Sequence, residues 1–257
     1  MKLSVYYIVK NESARLGESL AKVATFVDEI IVVDSGSTDD TVEIAMRYGA
    51  RVSFHDWQGF AVQKAHAASL CSHDWVLEID ADEVPSDALI ASLRTLSKRN
   101  DLEDYAGFEI TWSHVPPFPG HPMRYAPSMH IMRLYHRQRA AIRPVAHTID
   151  DRARVIRGKV GRLDGVMYHR PVLSLAQMER KFQVLSSDQA AEYVAKGRHI
   201  STLRLVLEFP TKFLKYYLLR GNYRNGWYGF SVSIICAYRN FMRLAKAKDM
   251  LLNKEER

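Results

Sequence analysis

Two carboxylates separated by one small residue, Asp80-Ala81-Asp82, close an apolar run, WVLEI (75–79). Oxygen ligands at i and i+2 suit one hard divalent cation beside a diphosphate. Such a cation neutralises charge that develops on a departing phosphate. The competing reading is a strand-to-helix turn whose acids cap the next helix. Asp34 closes a second apolar run, EIIVV (29–33), and leads into Ser35-Gly36-Ser37. A carboxylate there can accept hydrogen bonds from a ribose or a base, and small residues let backbone N–H groups approach a ligand; a capped turn is the structural counterpart. Lys64, within WQGFAVQKAHA (57–67), is a cation on a helical pattern, placed either to hold a diphosphate or to face solvent. Arg133 and Arg137 in MRLYHR (132–137) share one face of a strand, for an anion or for surface ion pairs. His169 arrives late, before Pro171, and can complete a metal shell, touch a phosphate or serve as a core histidine. The chain has no G-x-G-x-x-G and no G-x-x-x-x-G-K-[ST], which argues against dinucleotide-binding and P-loop sites.

The elements that must position these residues alternate. Apolar, β-branched runs at 3–9, 29–33, 51–55 and 75–79 read as strands. Segments 12–27, 41–48, 59–70 and 86–97 carry apolar residues at helical spacing. Strands alternating with helices over about 100 residues predict an α/β fold, a mostly parallel sheet with helices on both faces. Ligands bind such sheets at the carboxyl ends of the strands, where Asp34 and the Asp80–Asp82 pair fall. Residues 105–170 change character, with five prolines and Gly120 between 116 and 127, then an Arg/His-rich stretch; loops and short strands (GFEITW, HIMRLYH) are expected. A polar helix is expected at 174–195.

The chain has 257 residues, 47% hydrophobic and 25% charged, which excludes disordered, collagen-like and coiled-coil classes. Its net charge of +7 is unevenly spread. Residues 196–257 hold 13 basic and 4 acidic side chains, net +9, and 10 of the 27 aromatics. Apolar residues at helical spacing (Leu203, Val206, Leu207, Phe213, Leu214, Tyr217, Leu218) with basic flanks suit an anionic bilayer surface, or simply pack on the body. Pro210 is expected to break or kink this helix. Two cysteines, Cys71 and Cys236, make no disulfide framework, and a reducing compartment is expected. No stretch of about 18 uncharged apolar residues occurs, so no spanning helix is expected.

In order along the chain, IVKNE (8–12), EIIVVDSGSTDDT (29–41), GFAVQKAHA (59–67) and WVLEIDADE (75–83) resemble family-2 glycosyltransferases of the GT-A fold. The resemblance covers residues 1–110 well. It continues more loosely through MRLYHR, RPVAHTID (143–150), VGRLDGVMYHR (160–170) and the tail, where it is similar to the bacterial lipopolysaccharide core β-glucosyltransferase subgroup, whose members act at the inner membrane. It implies a GT-A, Rossmann-like sheet with a basic, aromatic C-terminal helical extension. The expected parts are a nucleotide-sugar half (1–104), an acceptor and catalytic half (105–172) and a membrane-associating extension (173–257). It implies a UDP-sugar donor, with glucose the first expectation, and Mg2+ or Mn2+. By position, Ile8, Val9, Lys10 and Glu12 border uracil and ribose. Asp34, with Ser35 and Gly36, holds the nucleoside, and Asp80, Ala81 and Asp82 meet the ribose and the cation. Lys64 stands where many relatives carry an Arg for the donor; from the residues alone, Arg133 and Arg137 are further candidates for the diphosphate and His169 for the metal shell. The family's A-R-N pattern reads Gln63-Lys64-Ala65 here.

The family chemistry is inverting: an acceptor hydroxyl displaces UDP from the opposite face, assisted by a general base. A V-H-E pattern of the subgroup corresponds to Val145-Ala146-His147-Thr148-Ile149-Asp150, making His147, Asp150 and Asp151 candidate bases, with Asp150 favoured as a carboxylate. The implied acceptor is a lipid-linked saccharide. The implied place is cytoplasmic, peripheral on the inner face of the cell membrane. Two rival readings are a non-catalytic module binding anionic lipid or nucleic acid through the basic tail, and a sugar-nucleotide-forming nucleotidyltransferase. The body carries no basic surface run, and the aromatics sit at apolar spacing, not as spaced stacking platforms, so no nucleic acid partner is expected. KNESARLG (10–17) lacks the glycines that a nucleotidyltransferase loop needs.

Overall fold

Seven residues, LSVYYIV, form β1 (Leu3–Val9), buried along its length apart from half-buried Ile8. A strand apolar on both faces belongs inside a parallel sheet covered by helices. The computed structural model describes residues 1–115, 129–145, 151–197 and 200–255. After β1 come α1 (Ser13–Val23), β2 (Glu29–Asp34), α2 (Thr41–Arg47), β3 (Arg51–Phe54), α3 (Phe60–Leu70) and β4 (Trp75–Glu78). Next are β5 (Glu83–Pro85), α4 (Asp87–Leu96), β6 (Tyr105–His114), β7 (Met129–His136), β8 (Ala140–Ala141), β9 (Arg154–Val155) and β10 (Lys159–His169). Three helices follow: α5 (Leu175–Ala195), α6 (Thr202–Leu214) and α7 (Gly226–Glu255).

The sheet has eight strands in the order β3-β2-β1-β4-β7-β6-β10-β5. β3, β2, β1 and β4 are mutually parallel, while β7 joins β4 and β6 joins β7 antiparallel, and β5 pairs antiparallel with β10. The four expected strands of the first half are therefore the parallel core, with antiparallel strands extending it. The short β5 follows the acidic pair directly and was not expected from sequence.

Alternation along β1 distributes the core. Leu3, Val5, Tyr7 and Val9 pack with Leu16, Leu20 and Val23 of α1 and Leu89 and Leu93 of α4. Tyr6 packs with Ile31, Val33, Val76 and Tyr135 and with Ala61 and Ala67 of α3. Ser86 caps α4 by accepting from the Leu89 N–H at 3.2 Å, while its hydroxyl also accepts from the Val166 N–H at 3.0 Å. Gly165, at φ +100°, lets β10 pass this helix start; a Cβ there would lie 2.3 Å from the Leu89 nitrogen.

The chain divides into two compact units, the sheet with its helices and a second one formed by the helices from residue 170 onward. Within the second, Val172, Met178, Val232 and Cys236 form one apolar cluster, and Ala190, Tyr193, Ile200, Leu244 and Ala247 another. Pro210 does not break the helix: α6 continues through it to Leu214 and runs into a π-helical turn, Lys215–Leu219. Among the described residues no helix is long and apolar enough to cross a membrane.

Candidate active site

The parallel strands deliver their carboxyl ends to one rim, and a cavity of about 520 Å3 opens there. Ile8, Val9, Lys10 and Glu12 reach it from the end of β1, Asp80, Ala81 and Asp82 from the end of β4, and Lys64 from α3. Asp151 and His169 complete the wall. Ten residues singled out from sequence thus line one space. Trp57 and Phe60 line it too, 48% and 55% exposed, with rings edge-to-face at 4.8 Å. Their only sequence signal is a Trp and a Phe bracketing the turn glycine of WQGF, too weak to single them out.

Beneath the rim lies an ionic network. Lys64 Nζ donates to Glu78 Oε1 and to Asp151 Oδ2, each at 2.7 Å, and lies 3.5 Å from Asp80 Oδ1. Arg133 donates through one terminal nitrogen to Glu78 and through the other to Asp80 Oδ2 at 2.9 Å and Glu83 Oε1 at 2.8 Å. The Tyr6 hydroxyl donates to Glu78 Oε2 at 3.0 Å. Buried charges persist when paired and hydrogen-bonded, and each carboxylate here meets a cation. Burial works against the Asp80 charge, but Arg133 and Lys64 outweigh it and hold that carboxyl well below the usual carboxylate range. Burial likewise opposes the Lys64 charge, yet Glu78, with Asp80 and Asp151, keeps the ammonium above the ordinary lysine range against repulsion from Arg133. Glu83 is pushed up to about 7, burial prevailing over Arg133.

Asp82 stands on the open side. Its Oδ2 lies 3.1 Å from His169 Nε2, and it is 3.6 Å from Arg15 NH1. Burial disfavours its ionised form, but the His169 hydrogen bond and charge prevail and lower its pKa. The His169 ring stacks on Trp112 at 4.2 Å, and Trp112 Nε1 donates to Glu83 Oε1 at 2.6 Å. Glu83 Oε2 accepts from the Asp80 N–H at 3.1 Å. Glu83 therefore braces the Asp80 backbone directly and His169 through Trp112. Glu12, bonded by Arg15 Nε at 2.8 Å, is raised by burial, with Arg15 opposing.

Asp82 offers carboxylate oxygens, the ligand type that a hard divalent cation takes, while the His169 imidazole, hydrogen-bonded to it, is a softer donor. Asp80 is turned toward Arg133 and Lys64. Among the described residues no group of three or more His, Cys, Asp or Glu side chains is gathered as a complete metal cage.

The other expected residues fall elsewhere. The Asp34 carboxylate is used inside its own turn, accepting from the Gly36 N–H at 2.9 Å and the Ser37 N–H at 3.0 Å. The Ser35 hydroxyl accepts from Gln63 Nε2 at 2.6 Å. This turn is tied to the β1 loop, since Asn11 N–H donates to Ser37 Oγ at 2.9 Å and Asn11 Oδ1 accepts from the Thr38 N–H at 2.8 Å. Asp34, Ser35 and Gly36 shape the loop beside the cavity and do not line it. Arg133 is buried under the rim, neutralising carboxylates, and not poised for a diphosphate. Arg137 is a correction: β7 ends at His136, and Arg137 donates to the Ala68 carbonyl at 3.1 Å near Asp74, at the opposite end of β4 from Asp80. Of the candidate bases, Asp151 is at the cavity wall, while His147 and Asp150 lie outside the described residues.

Comparison with known proteins agrees with this architecture. The family model for glycosyl transferase family 2 matches residues 4–160. An uncharacterized glycosyltransferase of Rickettsia prowazekii (strain Madrid E) is 35% identical over 260 residues, covering 99% of this chain and 89% of its own. The lipopolysaccharide core biosynthesis glycosyltransferase LpsC of Rhizobium meliloti (strain 1021) is 30% identical, covering 96% of this chain and 92% of its own. Among solved structures, S. aureus TarS 1-349 aligns with a TM-score of 0.50 at 15% identity, over 96% of this chain and 92% of that one, a likeness of fold. With a cavity at the carboxyl ends of its parallel strands, a family model matched over residues 4–160 and relatives aligned over nearly its whole length, this protein belongs to glycosyltransferase family 2.

Proposed function

We propose that the protein transfers a sugar, glucose the first candidate, with inversion from a UDP-sugar to a hydroxyl of a lipid-linked glycan such as lipopolysaccharide core. The observation that carries this is the convergence of Asp80, Asp82, Lys64 and His169 on one cavity beside the β1 loop. The nucleoside lies against Ile8, Val9, Lys10 and Glu12. Asp82 and His169 hold Mg2+ or Mn2+, which when bound neutralises charge on the departing diphosphate. Arg133 and Lys64 keep Asp80 ionised and fixed at the ribose side. The acceptor hydroxyl needs a general base within hydrogen-bond reach. Asp151, held by Lys64, is the described candidate, alongside His147 and Asp150. The LpsC relative supports a glycan acceptor of the lipopolysaccharide core class.

The site is tested by thermal melting with UDP, with and without Mn2+. A UDP-specific rise that EDTA removes is expected, together with loss of turnover in Asp82→Ala at unchanged fold. Near-normal turnover in that variant refutes the metal role. DNA-dependent shifts with no response to UDP would favour the binding-module reading.

The second unit is the membrane-facing part of this proposal. Leu203, Val206, Leu207, Leu214, Leu218 and Leu219 are exposed along α6 and its π-turn, Leu203 70% so, and Trp227 is 68% exposed at the start of α7. An apolar stripe flanked by cations and aromatics suits an anionic bilayer surface. Deleting the chain from about residue 200 would also strip α7 from its cluster with α5, so Leu203→Glu with Leu207→Glu is the cleaner perturbation. Vesicles of phosphatidylglycerol should float the native protein and not this variant; equal flotation of both refutes the assignment.

A further inference from the structure

Between α5 and α7 lies a second cavity, of about 350 Å3. That volume is in the range of small-molecule sites. Phe182 on α5 and Ile235, Tyr238 and Met242 on α7 supply apolar walls. Two cations border it, Arg239 and Lys246.

Neither cation is neutralised. Lys246 Nζ donates to Ser186 Oγ and Ser187 Oγ, each at 2.8 Å, and to the Gln183 carbonyl at 3.2 Å. These acceptors are uncharged. Arg239 has its guanidinium 4.7 Å from the centre of the Phe182 ring, and its buried Nε has no hydrogen-bond partner. Among the described residues no carboxylate lies within 4 Å of either. The one acid lining the cavity, Glu179, is exposed at its edge. The Nε of Arg239 is thus a donor taken from water without compensation, which costs free energy. Ile235, Arg239, Met242 and Lys246 recur at the spacing of one helix face, so apolar and cationic groups are presented together.

We infer that this cavity binds an anionic phospholipid, the phosphate meeting Arg239 and Lys246 and the first part of one acyl chain lying on Phe182, Ile235 and Met242. A phosphate offers the acceptor oxygens that Arg239 lacks, and the apolar walls reject a free, fully hydrated phosphate. The site differs from the exposed stripe on α6 in taking a single molecule.

Calorimetric titration of the full chain with monomeric lysophosphatidylglycerol, below its micelle concentration, tests this. Lysophosphatidylcholine and glycerol 3-phosphate are the controls. The anionic lysolipid should bind about tenfold or more tighter than the zwitterionic one, and the headgroup alone should not bind. Arg239→Gln should weaken lysophosphatidylglycerol by about tenfold with an unchanged melting temperature, and Met242→Trp, which fills the cavity, should abolish binding. Equal binding of the two lysolipids, tight binding of glycerol 3-phosphate, or unchanged affinity in Arg239→Gln each overturns the inference. UDP binding is read separately, so failure here leaves the sugar-transfer reading standing.

Discussion

Replacing Arg133 by Met should do more damage than any other single change beneath the cavity rim. The guanidinium contacts Glu78, Asp80 and Glu83, and only Lys64 would remain to compensate the first two. Removing one partner of a buried ion pair costs about 3–5 kcal/mol, equivalent to a fall in melting temperature of about 6–20 °C for a unit of this size. The loss should depend on pH. Glu83 ionises at about 7 in the fold against 4.5 when exposed, raised by burial with Arg133 pulling the other way. A raised acid contributes its stability fully below the unfolded value and loses it as pH rises through the folded value. Without Arg133 the Glu83 value climbs further, so the deficit should widen between pH 5 and pH 8, and Glu83→Gln added to Arg133→Met should recover part of it. Calorimetric melts at both pH values, with UDP affinity in parallel, make the measurement. A deficit below about 1 kcal/mol, the value of an exposed pair, or one equal at both pH values, refutes the claim that Arg133 holds these carboxylates together.

Gly165→Ala should cost more than about 3 kcal/mol, since a left-handed backbone disfavours it and the new Cβ meets the Leu89 backbone; a chemical-denaturation midpoint reads it. Glu29 is lowered to about 2 because hydrogen bonds from Ser4 and Ser72 overcome its burial. Its contribution is therefore present above about pH 4.5 and lost as pH falls through 2, and Glu29→Gln should flatten the acid limb of a urea-midpoint-against-pH curve. Trp112→Phe keeps a ring beside His169 but removes the 2.6 Å hydrogen bond to Glu83. It should cost about 1.5–3 kcal/mol and weaken Mn2+ binding in the presence of UDP, read by electron paramagnetic resonance; unchanged Mn2+ affinity would show that the brace does not matter.

Much of the site could be read from residue order because it is local. A strand followed by an acidic turn puts Asp80 and Asp82 at a carboxyl end wherever the strand sits, and the β-branched runs decide that β1, β2 and β4 are buried and parallel. The run IVKNE ends a strand of the same set, so Ile8 to Glu12 reach the same rim. The sequence by itself thus determined the α/β fold and which loops reach the cavity at the carboxyl ends of the parallel strands.

The roles of the buried charges were decided only in three dimensions. A spacing of four makes Arg133 and Arg137 equivalent on an ideal strand, but antiparallel pairing sets Leu134 opposite Leu77 and Trp75 opposite His136. Arg133 therefore falls beside Glu78, and Arg137 leaves the sheet at the far end. Asp34 reads as a ligand from its position, yet the turn after it supplies the donors that occupy its carboxylate. Periodicity states which face is buried; the partner of a buried charge is set by long-range register, because Coulomb and hydrogen-bond energies depend on distances between strands that no local pattern records.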